Sequence, residues 1–264
     1  MNYRLTVAYD GTRYLGWQKQ GERDSREYLR TIQGKLEHVL SELFGEEISV
    51  QGAGRTDAGV HAAAQVANFR TKGLSGRDIL PEEVFRYVNT YLPDDVAVLS
   101  VKRADERFHA RLNATGKRYV YKILNSSVSD VFAERYEYRV EEPLDIEAMR
   151  EAAKRFLGRH DFKYFSADKT KKSTVREVYD IEIRVQPASE LAQDAKHIEI
   201  EFHGNGFLRY MVRIMTGTLI EVGKGVRAAE SISEILAAAE VTREAAGYTA
   251  PAKGLTLKEV EYDE

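Results

Sequence analysis

The stretch from Gly52 to Ala62, which reads GAGRTDAGVHA, offers more chemistry than any other part of the chain. It crowds three glycines, an arginine and an aspartate between two apolar, strand-like runs. An ionised carboxylate in an open loop, as Asp57 would be, can act as a nucleophile or a base. Arg55 stands two residues earlier, so in an extended loop it would project to the same side and keep that carboxylate ionised. The glycines would let a bulky substrate approach the backbone closely.

The same stretch also has a plainer interpretation. Asp-Ala-Gly has ordinary turn chemistry, and Arg55 with Asp57 would form a surface ion pair of little consequence. The local residues alone favour this structural interpretation. The functional one therefore needs support from the rest of the chain.

Residue types and spacing exclude several kinds of site. The chain of 264 residues has no cysteine, which excludes disulfides, thiolate nucleophiles and cysteine-based zinc or iron–sulfur sites. Any nucleophile must therefore be an oxygen or a nitrogen. The 6 histidines include no pair at the spacing that helical zinc sites use, so we predict no metal site.

Two glycine patterns suggest nucleotide binding, and both fail on inspection. The pattern that starts at Gly52 has Asp57 in place of the third glycine of a dinucleotide fingerprint, and Gly59 is not followed by the Lys-Ser/Thr of a phosphate loop. The pattern that starts at Gly204 fails in the same way at Arg209. We therefore expect no nucleotide cofactor.

The net charge of −3 and the isoelectric point near 6.1 do not indicate nucleic-acid binding, so the location of the positive charges matters more than their sum. Basic side chains outnumber acidic ones in residues 102–122 and in residues 163–176. The basic members are Lys102, Arg103, Arg107, Arg111, Lys117, Arg118 and Lys122 in the first cluster, and Lys163, Lys169, Lys171, Lys172 and Arg176 in the second. Either cluster alone is typical of solvated surface charge.

The first hundred residues read βαββαβ. Apolar alternation from Tyr3 to Tyr9 predicts a strand, and apolar spacing after Thr31 predicts a helix that Gly45 ends. The other predicted elements are a short strand at Ile48 and Val50, a strand from Ala64 to Arg70, a helix from Pro81 to Leu92 with Val84, Phe85, Val88 and Tyr91 inward, and a strand over residues 96–103. The only tryptophan, Trp17, is either a stacking surface or a core anchor.

The second half reads ββαββ, two helices and a strand. Strands are predicted from Lys117 to Leu124 with Tyr119, Tyr121 and Ile123 on one face, at Tyr136 to Val140, at Ile181 to Val185, at Ile198 to Phe202 and at Leu255 to Tyr262. Helices are predicted from Ile146 to Leu157 between Asp145 and Gly158, from Phe207 to Val222 before Gly223, and after a capping box of Ser231 and Glu234. Arg209 and Arg213 would share a helix face.

These patterns indicate an α+β fold of two pseudo-symmetric βαββ-type halves that share a largely antiparallel sheet. Helices would cover one face, and the other face would be left free to form a cleft. We place the division between the two halves after residue 104, so that residues 1–104 contain the glycine loop and residues 105–264 form the second half.

Several ordered motifs besides the glycine loop carry a resemblance to a known family. The chain resembles tRNA pseudouridine synthase A, the family that isomerises uridine in the anticodon arm of tRNA, and every position from Gly52 to Ala62 fits its catalytic loop. The other matching motifs are Tyr9-Asp10-Gly11, Gly16-Trp17-Gln18, Thr31-Ile32-Gln33-Gly34, Phe108-His109-Ala110-Arg111, Arg118-Tyr119-Val120-Tyr121, Met211-Val212-Arg213 to Gly217, and Lys253-Gly254-Leu255.

The resemblance implies that Asp57 is the catalytic aspartate, that Arg55 is its ionic partner and that Tyr119 stacks on the target base. It also implies that residues 1–104 carry the catalytic loop and that residues 105–264 complete an RNA-binding cleft and the dimer. The enzyme would be a homodimer that grips tRNA, use no cofactor, and form pseudouridine at positions 38, 39 and 40. On this basis the clusters and motifs supply the predicted RNA contacts. The predicted RNA-binding residues are Arg13, Trp17, Gln18, Arg111, Lys117, Arg118, Lys171, Lys172, Arg209 and Arg213.

The chain departs from the family pattern at the longer, more charged segment from Gly21 to Arg30, at Arg209-Tyr210 and at Thr256. These departures put the substrate range in question and leave the chemistry untouched. Two alternatives therefore stay open, a tRNA-binding or RNA-folding protein with vestigial catalysis and the same isomerase acting on another RNA. The start of the chain lacks the apolar core of a signal peptide and no run is long enough to span a membrane, so we expect a cytoplasmic protein.

Overall fold

The computed structural model describes residues 1–74, 77–167, 173–188 and 190–263. These residues form ten strands and six α-helices, a mixed α+β composition as predicted. In chain order the elements are β1 (Asn2–Tyr9), α1 (Arg26–Leu29), α2 (Ile32–Phe44), β2 (Val50–Gly52), β3 (His61–Arg70), α3 (Pro81–Tyr91), β4 (Val96–Ala104), β5 (Ala114–Asn125), β6 (Tyr138–Val140), α4 (Ile146–Lys154), β7 (Gly158–Asp161), β8 (Val175–Pro187), β9 (Lys196–Gly204), α5 (Met211–Gly223), α6 (Ser231–Ala237) and β10 (Leu255–Tyr262).

The chain divides into two compact units. The first unit consists of Met1–Thr115 together with Thr256–Glu264, and the second consists of Gly116–Leu255. The division that the sequence pattern suggests lies after residue 104, whereas the units divide within β5. Most of β10 returns to the first unit, which a linear division of the chain does not capture.

In the first unit, β1 lies between β3 and β4 and pairs antiparallel with both. The alternation that predicts β1 reflects its burial, because Tyr3, Leu5 and Val7 are fully buried. At its other edge β3 pairs antiparallel with β2, and parallel with β10 through the pairs Thr256↔His61 and Leu257↔Ala62. The pairing of β3 with its neighbours therefore supports the residues on both sides of the glycine loop.

In the second unit, β5, β9, β8 and β7 pair antiparallel in that order, and β6 pairs parallel with the other side of β5. The prediction of mostly antiparallel pairing is confirmed in both units. Phe202 lies opposite Tyr119 in the β5–β9 register. The buried side of this sheet is apolar, with Tyr121, Ile123 and Ile200 fully buried.

Helix α2 begins and ends where local chemistry predicts. The Thr31 hydroxyl accepts a hydrogen bond from the Gly34 backbone N–H at 3.1 Å, which satisfies one of the unpaired donors of the first turn. The helix ends at Gly45, whose φ of +63° is a left-handed conformation that glycine adopts at little cost. Ile32, Leu36 and Leu40 are fully buried on its inner face.

Helix α1 was not predicted, and four details of the other helices differ from the predictions. In α3 the helical period carries Val84 and Val88 to the core, whereas Phe85 is 37% and Tyr91 62% exposed because they lie off that face. Helix α4 starts after the predicted Asp145 cap, which accepts from the Ala148 N–H at 2.9 Å, but it ends at Lys154. Gly158 then opens the unpredicted strand β7.

The two remaining differences concern α5 and α6. Helix α5 begins at Met211, so Phe207 precedes it and is not part of its buried stripe. Ser231 is the first residue inside α6 and its hydroxyl donates back to the Ala228 carbonyl, so it forms no capping box with Glu234. No helix in the described part of the chain is long and apolar enough to cross a membrane.

Candidate active site

The loop of residues 53–60 connects β2 to β3 and contains Asp57. Its first residues are tied to β3, because the Ala53 N–H donates to the Val66 carbonyl at 2.8 Å. The Gln65 side chain forms two hydrogen bonds with Gly54, accepting from its N–H at 3.2 Å and donating to its carbonyl at 3.0 Å. Gln65 is fully buried, so the start of the loop is fixed by a desolvated amide.

Thr56, the residue before Asp57, is the anchor of the loop. It is only 6% exposed, and its carbonyl accepts a hydrogen bond from the Trp17 backbone N–H at 3.0 Å. Its hydroxyl lies 2.8 Å from the Tyr9 hydroxyl in the core. Burial raises the pKa of Tyr9, and hydrogen bonds with Thr56 and Gln65 offset this only in part, so the phenol stays neutral and keeps its proton for hydrogen bonding.

The position of Tyr9 depends on an irregularity in β1. The register between β1 and β3 shifts between Val7 and Tyr9, so that Tyr9 pairs with Ala62. Such bulges re-aim the side chains that follow them. The bulge therefore brings the Tyr9 hydroxyl to the loop that precedes Ala62.

Two glycines let the backbone that follows β1 lie against this loop. Gly16 has a φ of +102°, and a Cβ atom there would lie 2.7 Å from the Thr56 carbonyl oxygen. A Cβ atom at Gly11 would lie 2.0 Å from the carbonyl oxygen of Val60. Any larger residue at either position would displace the loop or the segment that supports it.

Trp17 is a core anchor. Its side chain is 2% exposed, and a Cβ atom at Gly52 would lie 2.4 Å from its indole ring. Its ring centroid lies 6.1 Å from that of Tyr9. Because the ring is enclosed by this packing, Trp17 supports the loop, and its contact with RNA stays a prediction.

Asp57 is half-buried and Arg55 is exposed, on either side of the buried Thr56. The Asp57 carbonyl accepts from the Val60 N–H at 3.1 Å, which closes a turn at Gly59, whose φ is +78°. The alternation places Arg55 and Asp57 toward the same side, as expected for an extended loop. The ion pair between these two residues stays a prediction.

Tyr119 lies on β5 in the second unit and is 8% exposed. Its ring meets the Phe207 ring edge to face, with centroids 5.4 Å apart. Its strand neighbour Tyr121 is fully buried and donates to the Pro251 carbonyl at 2.7 Å, which confirms that Tyr121 belongs to the core. The two tyrosines therefore differ in exposure, since Tyr119 keeps a small exposed fraction and Tyr121 keeps none.

The predicted RNA-binding side chains of the first unit, Trp17 apart, are exposed. Arg13 is held by Asp95, with its Nε atom 2.9 Å from the carboxylate, and its side chain remains 74% exposed. Gln18 and Arg111 are exposed as well. These side chains lie at the surface, where contact with RNA requires them to be.

In the second unit, Lys117 and Arg118 are half-buried, and Arg118 forms an ion pair with Glu201 at 3.4 Å. Arg209 precedes α5 and Arg213 lies in its first turn, so the prediction that they share a helix face is wrong. Both guanidinium groups lie near the ring of the intervening Tyr210. Lys171 and Lys172 lie outside the described residues. No group of three or more histidine and carboxylate side chains suited to a metal ion is found within the described ranges.

Sequence reasoning missed the residues that hold the loop, namely Tyr9, Gly16, Thr56 and Gln65. Tyr9 and Gly16 belong to two of the matching motifs. The motifs indicated that these residues are important, but they did not indicate that the residues support the loop. Gln65 had no signal, because its contact with Gly54 depends on β3 folding back beside the loop.

With this geometry in hand, the family can be assigned. A family model described as tRNA pseudouridine synthase matches residues 5–113 and 152–263. The chain belongs to the tRNA pseudouridine synthase family, which is a family of isomerases.

The similar proteins carry a more specific name. The chain is 44% identical to "tRNA pseudouridine synthase A 2" of Bacillus anthracis, with 99% of each chain covered. It is 43% identical to "tRNA pseudouridine synthase A" of Brevibacillus brevis, with 98% of each chain covered. It is 42% identical to "tRNA pseudouridine synthase A 2" of Clostridium tetani, with 99% of each covered. The similarity therefore spans the whole chain.

The close approach at Gly16 can be tested with a matched pair of glycine substitutions. Gly45 also has a positive φ, but nothing lies within 4 Å of a Cβ atom there. We expect Gly45→Ala to lower the free energy of unfolding by about 1–2 kcal/mol and leave turnover of the folded enzyme unchanged. Gly16→Ala adds a clash with the Thr56 carbonyl, so we expect a further loss of stability and a fall in turnover of about tenfold or more.

Thermal melts and pseudouridine formation at saturating tRNA would be measured for both variants. Equal losses of stability with unchanged turnover in Gly16→Ala would contradict the view that Gly16 holds the loop in place.

Proposed function

We propose that the protein isomerises uridine to pseudouridine in the anticodon stem-loop of tRNA, at positions 38, 39 and 40, with Asp57 as the catalytic group. The observation that carries the proposal is the position of Asp57, which is half-buried and directly follows Thr56 in a loop held by β3 and by the contacts of Thr56 with Tyr9 and Trp17. A fixed backbone under a partly exposed carboxylate is the arrangement that a nucleophile or base requires.

The reaction breaks the bond between ribose C1′ and uracil N1, turns the base and forms a bond from C1′ to C5. The proton on C5 is lost and N1 gains one, so the product is an isomer and no electrons enter or leave. Asp57 could add to the uracil ring, attack C1′, or remove a ribose proton to give a glycal. All three routes need an ionised carboxylate, and the reaction needs no cofactor.

The target base must leave its stack to reach a carboxylate, at a cost of a few kcal/mol. We propose that it stacks on Tyr119, which could return about 1–3 kcal/mol. The edge-to-face contact with Phe207 supports this role because it fixes the orientation of the Tyr119 ring. A stacking free energy of this size offsets the cost of unstacking the base and contributes little to the net affinity for tRNA.

Affinity must therefore come mainly from the phosphates. We propose that the exposed Arg111 and Arg13 and the half-buried Lys117 contribute to it. Arg55 is exposed as well, and we propose that it is the ionic partner of Asp57 and keeps the carboxylate ionised, since it stands two residues earlier in the same loop. We also propose that the enzyme works in the cytoplasm as a homodimer, with both subunits contacting one tRNA.

The experiment that tests this proposal maps new pseudouridines in unmodified tRNA transcripts after incubation with the protein. Pseudouridine at positions 38, 39 and 40 is the expected result. Binding without any pseudouridine would indicate a tRNA-binding or RNA-folding protein with vestigial catalysis. Pseudouridine only in other RNAs, or at other tRNA positions, would show the same chemistry on a different substrate.

Replacement of the catalytic carboxylate by an amide should separate chemistry from binding. We expect Asp57→Asn to eliminate isomerisation while tRNA binding stays within about threefold of wild type, because the phosphate contacts remain. Single-turnover formation of pseudouridine and equilibrium binding would be measured in parallel. The matched control is Asp94→Asn, which makes the same change at an exposed position. Appreciable turnover by Asp57→Asn would refute the assignment.

Binding through phosphate contacts should make the affinity for tRNA depend on the salt concentration. Between roughly 50 mM and 200 mM salt we expect the Kd for tRNA to rise by about tenfold or more, because several counterions return to the RNA. Replacing the exposed Arg111 by glutamine should reduce the slope of log Kd against log salt by about 1. Fluorescence titrations across this salt range would supply the slopes. An affinity that is indifferent to salt would contradict phosphate-dominated binding.

A further inference from the structure

Glu37 lies on α2 and is a buried carboxylate, with only 1% of the residue exposed. An ionised carboxylate is costly to bury unless it is paired and hydrogen-bonded. Its Oε1 atom accepts from Gln33 Nε2 at 2.9 Å and from the Val50 N–H at 3.0 Å. Its Oε2 atom accepts from the Tyr28 hydroxyl at 2.6 Å and from Lys19 Nζ at 3.0 Å. One carboxylate therefore joins α2 to α1, to β2 and to the segment that contains Lys19.

Gln33, one turn earlier on α2, strengthens the same connections. Its Nε2 atom also donates to the Val50 carbonyl at 3.0 Å, so side chains of α2 bind both backbone polar groups of Val50. Its Oε1 atom accepts from the Lys19 backbone N–H at 3.1 Å, and its own backbone N–H donates to the Trp17 carbonyl at 3.0 Å. A buried polar network whose members have their partners makes the surrounding structure rigid.

The network reaches the catalytic loop by two routes. The first is β2, because Val50 begins this strand and the loop of residues 53–60 follows its last residue directly. The second is Trp17, whose N–H donates to the Thr56 carbonyl at 3.0 Å, one residue before Asp57. Helix α2 therefore fixes the loop both at its entry and beside the aspartate.

On its other side the network holds α1, which lies in the segment from Gly21 to Arg30 where the chain departs from the family pattern. Tyr28 is 3% exposed and is the residue of α1 that contacts the carboxylate. Burial, and after it the hydrogen bond to Glu37, raise the pKa of Tyr28, so its hydroxyl keeps the proton that it donates. Any shift of α1 would therefore act on the same carboxylate that holds β2.

We propose that Glu37 is a positioning residue for Asp57 and that it couples the segment from Gly21 to Arg30 to the catalytic loop. The inference rests on the proposed function, since it takes Asp57 as the reactive group. Glu37 is buried, so it acts on the reaction only through the backbone of β2 and of residues 17–19. Turnover is sensitive to such support, because a displacement of about 1 Å at a reacting group can cost about 100-fold in rate.

Two nearly isosteric substitutions cut the network at α1. Tyr28→Phe removes the hydroxyl that donates to Glu37. Glu37→Gln keeps an oxygen for Val50 and places an amide nitrogen, which cannot accept, where Tyr28 and Lys19 donate. We expect kcat for pseudouridine formation to fall about 3- to 10-fold in Tyr28→Phe and about tenfold or more in Glu37→Gln. The KM for tRNA should stay within about twofold in both, because no RNA contact is altered.

Hydrogen exchange measures the support of the loop without turnover. We expect the amides of residues 50–60 to exchange about tenfold faster or more in both variants than in wild type. The matched control is Tyr3→Phe, which removes another buried hydroxyl of the first unit, one that donates to the Ile79 carbonyl at 2.5 Å. Tyr3→Phe should lower the thermal midpoint about as much as Tyr28→Phe and leave both kcat and the exchange of residues 50–60 unchanged.

A purely structural role for Glu37 predicts that Tyr28→Phe and Tyr3→Phe behave alike, with lower thermal midpoints and unchanged kcat and loop exchange in the folded enzyme. That result would overturn the proposal, and so would a rise in KM without a fall in kcat. If Glu37→Gln does not fold, the comparison of Tyr28→Phe with Tyr3→Phe decides alone.

The exchange measurement also separates this proposal from the proposed function. If the wild-type protein forms no pseudouridine, the function fails, while faster loop exchange in Tyr28→Phe and not in Tyr3→Phe would still support the coupling through Glu37. If the wild-type protein forms pseudouridine and Tyr28→Phe changes neither kcat nor loop exchange, the coupling fails and the function stands.

Discussion

The arrangement of the first unit depends on one buried contact, the hydrogen bond between the hydroxyls of Tyr9 and Thr56. Thr56 is fixed on two sides, because its hydroxyl meets Tyr9 and its carbonyl accepts from Trp17. Asp57 is the next residue, so the contacts of Thr56 also fix the Asp57 backbone, while the Asp57 side chain stays partly exposed. A reactive carboxylate needs a fixed backbone and a partly exposed side chain, since it must be accessible to the substrate and keep a defined position.

Residues far apart in the sequence act together to position the loop that contains this contact. The bulge in β1 directs Tyr9, and Gly16 lets the following segment lie against the Thr56 carbonyl. Trp17 fills the space beside Gly52, and Gln65 holds the first turn of the loop. These residues do not need to touch a nucleotide, since their effect on the reaction passes through the position of the loop.

Local signals in the sequence were enough wherever short-range chemistry decides the structure. Thr31 and Gly45 delimit α2, and the last strand runs from Leu255 to Tyr262 as its alternation predicts. The predicted end of α4 was wrong because a helical pattern continues past the residue at which tertiary pairing takes over, as at Gly158, which starts β7. The predicted cap of α6 was wrong because a cap needs the right backbone position as well as the right side chain, and Ser231 lies one residue inside the helix.

The sequence was enough to predict the candidate catalytic residues, but not the residues that support them. Asp57 and Arg55 could be singled out because their chemistry and the family resemblance agree. The support from Gln65 and the burial of Trp17 could not, since each depends on strand pairing or packing across many residues. The left-handed backbone of Tyr210, with a φ of +65°, has no sequence signal either, because tyrosine is among the residues least suited to that conformation.

The central claim is that Tyr9 and Thr56 act as one unit in holding Asp57, and a double-mutant cycle measures this most directly. Tyr9→Phe, Thr56→Val and the double variant would be compared in turnover at saturating tRNA and in free energy of unfolding. Tyr9→Phe removes the Tyr9 hydroxyl from the buried Thr56 hydroxyl, and Thr56→Val leaves the Tyr9 hydroxyl with Gln65 alone, at a cost of about 1–3 kcal/mol each. The double variant removes both hydroxyls. We predict that the double variant loses clearly less than the sum of the two single losses. Additive losses would show that the two residues act independently and would contradict the account.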